Sequence, residues 1–143
     1  MRRLRTLVAL AGLSGLSLAA TPAPLSAPDV GAYSQLGQFN APQGTVFAVV
    51  QVNFALSGEP VQFAPRRFYL RLGKRAYPIS EATFLEESAC EDLGLLRRGA
   101  RVNCLVVFEA PKGLKTGTLE LRTVNVANKP VTFSAPFKVT RHD

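Results

Sequence analysis

TVFAVVQVNFALS, running from Thr45 to Ser57, carries the clearest pattern in the chain. Every second residue is apolar: Val46, Ala48, Val50, Val52, Phe54 and Leu56. The intervening set, Thr45, Phe47, Val49, Gln51, Asn53, Ala55 and Ser57, turns polar toward its end. Residues two apart in a strand share a face, so the stretch reads as a strand with one buried face and one mixed face. Its valines and phenylalanines are the β-branched and aromatic types that fit a pleated surface. Such a strand needs other strands to bury it, and the flanking sequence supplies them.

Downstream, Val61 to Phe63 forms a short strand after the Gly58-Glu59-Pro60 turn. Phe68 to Leu72 alternates, with Phe68, Leu70 and Leu72 inward and Tyr69 and Arg71 outward. Gly73-Lys74-Arg75 turns it into a partner strand, Ala76 to Ile79. Ser80 to Gly94 has no period of two and reads as a short helix or an ordered loop tied down by Cys90. After the turn Arg97-Arg98-Gly99, RVNCLVVFEA (Arg101 to Ala110) is the second clear strand. It points Val102, Cys104, Val106 and Phe108 to one side. Thr118 to Val126 alternates again, with Leu119 and Leu121 inward, and a last strand through Val131, Phe133, Phe137 and Val139 is interrupted by Pro136. Seven or eight short strands between Gly/Pro turns, with no long helix, predict an all-β antiparallel sandwich. A small barrel is the alternative.

The ends of the chain read differently. Met1 to Ala20 has a basic start (Arg2, Arg3, Arg5), an apolar run from Leu7 to Leu18 and small residues at Ala19 and Ala20, the pattern of a signal peptide. The run is short for a membrane span, which needs about 20 apolar residues. A retained anchor is the alternative, and with no cysteine near the cleavage region a lipid anchor is not expected. Thr21 to Asp29, rich in proline and alanine, reads as a disordered spacer, and the spacer with a first strand fills 21–40. The sandwich is expected over 41–141.

The 17 Lys+Arg and 10 Asp+Glu of the whole chain sum to +7, and loss of the three signal arginines leaves 14 − 10 = +4. That mild excess argues against nucleic acid as a partner. Cys90 and Cys104, an even pair in an exported chain, read as a disulfide closing a loop of about 15 residues, worth about 3 kcal/mol. Free buried thiols or a redox pair are the alternatives, although the spacing is not C-x-x-C.

Several motifs along this order resemble the telokin-like, immunoglobulin-like domains of secreted bacterial proteins. They are the Gly58-Glu59-Pro60 turn after the apolar strand, Phe68-Tyr69-Leu70, the Gly73…Tyr77 hairpin, the Leu96…Gly99 approach, and Val106 to Pro111 (VVFEAP). The resemblance spans Thr45 to Thr123 and departs at Ala55-Leu56-Ser57, where the family more often has an asparagine before the turn. Most members have no known function, so the resemblance implies a fold and export and transfers no catalytic residue.

No catalytic constellation is legible. The single histidine, His142, sits at what reads as a frayed end. Glu86, Glu87, Glu91 and Asp92 lack the spacing of a calcium loop and read as a solvated acidic face. The basic residues cluster at turns: Arg66, Arg67, Arg71, Lys74 and Arg75, then Arg97, Arg98 and Arg101. These turns would make an anion-binding patch if they shared one end of the sandwich, with Tyr69 and Tyr77 adding stacking surface. Alternatively they keep the surface soluble and blunt edge strands. The expectation is a secreted or periplasmic, non-enzymatic module without cofactors or metals, and without a transmembrane segment once the signal is removed. It would contact another protein or a cell-envelope component. The alternative is an anion-binding module for nucleic acid, lipid headgroups or acidic polymer.

Overall fold

A computed structural model describes residues 23–143, so the expected signal peptide lies outside the described residues. Two long antiparallel strands, β5 (Thr45–Ala55) and β10 (Arg101–Pro111), form its centre and pair along their whole length, from Arg101 opposite Ala55 to Pro111 opposite Thr45. On the other side of β5 lie β1 (Leu25–Ser26) and β2 (Val30–Tyr33), and β13 (Arg141–His142) adds to β2 in parallel. The second sheet runs in the order β8 (Arg75–Pro78), β7 (Phe68–Leu72), β11 (Thr116–Val124), β12 (Pro130–Lys138). A two-stranded ribbon of β6 (Val61–Phe63) and β9 (Gly94–Leu96) joins it through a bridge from Val61 to Asn125. The hairpin of β3 (Gln35–Leu36) and β4 (Phe39–Asn40) completes the set. The fold is an all-β sandwich.

Alternation explains the core. Ala48, Val50, Val52 and Phe54 are buried on one face of β5, beside Cys104, Val106 and Phe108 of β10. Phe68, Leu70, Leu119 and Leu121 come from the facing sheet, and all belong to one apolar cluster. A chain of rings crosses between the sheets: Phe133 to Phe54 (centroids 5.0 Å), Phe54 to Phe63 (5.9 Å) and Phe63 to Phe68 (5.5 Å). Offset and edge-on ring pairs of this kind each add about 0.5–1.5 kcal/mol beyond the area they bury. Phe47 and Val107, on the other face of the same strands, are buried in a second small cluster with Ala82, against which Leu36, Ala41 and Val49 pack. That cover is why the outward set of β5 contains phenylalanine and valine.

Several expectations need correction. The described part of the spacer is ordered: Leu25 is buried and opposite Phe54, and Pro24 offers its carbonyl to the Ala55 N–H at 2.9 Å. Proline lacks a donor but keeps its acceptor, so a short edge strand tolerates it. The sandwich therefore begins at Leu25 rather than at 41. At the other end, His142 is paired with Ala32 rather than frayed, so the sandwich also runs past 141. Finally, β12 is continuous through Pro136, because β12 is an edge strand of its sheet and pairs only with β11. The described residues hold thirteen strands, above the seven or eight expected, and four of them are two-residue pairings too short to leave a periodic signature.

Candidate functional site

The segment between β8 and β9 runs along the free side of β10 and makes the principal surface feature. Ser80 caps a 3-10 turn over Glu81–Leu85, its hydroxyl accepting from the Ala82 N–H at 3.1 Å. The buried Thr83 hydroxyl lies within 3.0 Å of the Val107 carbonyl and 2.9 Å of the Val107 N–H, serving both edge groups of β10. Further along, the Cys90 N–H donates to the Leu105 carbonyl (2.8 Å) and the Leu105 N–H to the Ser88 carbonyl (2.9 Å). Cys90 and Cys104 form the expected disulfide, with Cα atoms 4.8 Å apart.

Between this segment and the 3-10 turn Pro65–Arg67 opens a cleft of about 610 Å³. Cys90 and Pro65 are buried along its lining, while Phe84 stands 46% exposed. Arg67 faces it together with Glu86, Glu87, Glu91 and Asp92. Arg66 also lines it, but its guanidinium makes two bonds to the Glu81 carboxylate (3.0 and 3.1 Å) and lies 5.1 Å from the centre of the Phe84 ring. The bonds from Arg66 hold the Glu81 carboxyl below its ordinary range. With Arg66 matched by Glu81, Arg67 alone faces four carboxylates, so the cleft carries an excess of negative charge. Among the described residues no three of His, Cys, Asp and Glu are gathered as a metal site.

The basic turns fall into three separate groups. Arg66 and Arg67 sit at the cleft. Arg71, Lys74 and Arg75 belong to the β7–β8 hairpin, where Arg75 lies over Tyr77 (5.3 Å) and Arg71 donates to Glu120 (2.8 Å). Arg97, Arg98 and Arg101 surround the turn into β10, at the Ala55 end of β5. Arg71 is paired with Thr118, near the start of β11, whereas the Asn125 end of that strand reaches the β5 terminus through Val61. The hairpin group and the turn group are thus at opposite ends of the sandwich.

One participant was missed in the sequence. Arg122 donates to Glu120 at 2.7 and 3.0 Å and stacks 4.5 Å from the Tyr69 ring. Burial pushes the Glu120 carboxyl up, but the bonds from Arg71 and Arg122 outweigh it and hold the group below its ordinary range. Glu120 and Arg122 are two apart in a strand, so they share a face, and that spacing was available to a reader.

No family model matches the chain, and no curated protein matches it. Among solved structures, it is similar to the crystal structure of a "putative lipoprotein" from Bacillus subtilis subsp. subtilis str. 168, at 17% identity and a TM-score of 0.55. The match covers 77% of this chain and 35% of that one. Similarity at this level is a likeness of fold, and the chain spans about a third of that protein's length.

Proposed function

We propose that the chain is an exported, immunoglobulin-like, non-enzymatic module that contacts another envelope protein through the cleft beneath Phe84. The observation that carries this reading is the cleft itself, which places an exposed phenylalanine and four carboxylates around a wall tied down by a disulfide. Leu85 and Leu93, 57% and 45% exposed, extend the apolar surface along the same segment. An aromatic anchor within a polar rim is the composition of a binding face. The charge excess selects an occupant carrying lysine or arginine, since Arg66 is already neutralised by Glu81 and an anion would meet the carboxylates. Export is supported by the N-terminal pattern and by the disulfide, which persists in oxidising compartments.

A photo-crosslinking residue at position 84, used in the native host, tests the contact. An adduct is expected on a lysine- or arginine-rich segment of an envelope protein. It should disappear when Glu86, Glu87, Glu91 and Asp92 are changed to lysine. An adduct that survives those changes, or that also forms from a position on β12, refutes the cleft as the site.

A further inference from the structure

At the end of the sandwich that receives the N-terminal segment, three arginines cluster around one turn. Arg66, Arg71, Arg122 and Arg141 each have a carboxylate partner, whereas Arg97, Arg98 and Arg101, all exposed, have none among the described residues. Their backbone is held in place. The Gly99 N–H donates to the Leu56 carbonyl (2.7 Å) and the Leu56 N–H to the Ala100 carbonyl (2.9 Å), which pins the turn onto the end of β5. Gly99 adopts φ +93°, a conformation that other residues rarely enter, so the tight reversal that sets Arg97 and Arg98 beside Arg101 depends on it.

Between Arg98 and Arg101 is a concavity of about 370 Å³, with Leu56, Ser57 and Ala23 on its walls. Arg101 also lines a second hollow, with Asn53 and Asn103. Beyond Ser57, the neighbouring turns carry one acid, Glu59, and one further base, Lys129. Ala23 is only three residues past Ala20, the expected end of the signal peptide. A chain that kept its N-terminal apolar run would carry that run a few residues before Ala23, which lines this hollow.

We propose that this end docks on an anionic phospholipid surface, with Arg97, Arg98 and Arg101 taking headgroup phosphates and Arg98 and Arg101 bracketing the concavity. The inference rests on export but not on the cleft, and its test is independent of both. Lipid is favoured over nucleic acid because the contact is small and lies where the chain enters. Near such a surface each arginine is worth about a fivefold gain in partitioning.

The experiment uses residues 21–143, which contain the entire described core, and sedimentation with vesicles of phosphatidylcholine alone or with about a third phosphatidylglycerol. Binding is expected only to the anionic vesicles, falling steeply as salt rises. Changing Arg97, Arg98 and Arg101 to glutamate should lower it on the order of a hundredfold. The same charge change at Lys74, Arg75 and Lys112 should cost less than a tenth as much. Equal loss in the two triple variants would reduce the effect to net charge and overturn the proposal. Salt-insensitive binding would also overturn it, as would a tighter hold on a DNA duplex than on the vesicles.

Discussion

The two sides of β10 are built on different principles. Along one side, β5 pairs with it over eleven consecutive positions, and each alternate pair adds a side chain to the core. Along the other, the Ile79–Cys90 segment touches it at separate points: a bridge at Phe108, the Thr83 hydroxyl at Val107, backbone bonds at Leu105 and the disulfide at Cys104. A continuous ladder shares its energy among many bonds. A segment held by point ties has room for a cleft between them, and depends on each tie.

The sharpest way to break the comparison is at the shared core. Phe108→Asp or Val50→Asp places an unpaired charge where both residues are fully buried, and no folded protein is expected, read by circular dichroism and urea titration. A soluble, cooperatively unfolding variant would mean that the ladder does not carry the fold. A smaller effect is expected on the tied side. Replacing both cysteines with alanine should cost about 3 kcal/mol in urea unfolding while the sandwich persists. Hydrogen exchange should rise in the Ser80–Asp92 segment and stay low in β5. Equal loosening of β5 would show that the two sides are not independent.

The smallest effect concerns a third attachment, where β13 closes on β2. Arg141 and Thr140 bond to Asp29, and the Ser34 hydroxyl and N–H bond to Asp143. These bonds hold both carboxyls below the ordinary range. A carboxyl depressed in the folded state stabilises above its unfolded value of about 3.9 and loses that contribution as pH falls through the folded value. The amide resonance of Gly31, opposite Arg141, should therefore hold steady from pH 7 to 5 and shift below about pH 4. A shift already complete at pH 5 would show that these bonds do not hold the strand.

Much of the fold could be read directly, because alternation is a local signal. Val46 to Leu56 and Val102 to Phe108 announce a buried face through their own spacing. Leu25 could not be read in this way, since a two-residue strand has no period and its prolines suggest disorder. The candidate site was legible in its parts, with Cys90 and Cys104 as a bridge and Glu86 to Asp92 as an acidic face, but not as a cleft.

By itself, then, the order of residues determined the long strands and the face each one buries, and made a bridge the first reading of the two cysteines. Only the folded molecule decided that Arg66 faces Glu81 from fifteen residues away, that Arg71 and Arg122 converge on Glu120, and that Arg97, Arg98 and Arg101 have no counter-charge among the described residues. The reason is physical. A periodic apolar pattern is read within a few residues, whereas the partner of a charge is set by which turns and strands the two sheets bring together in space.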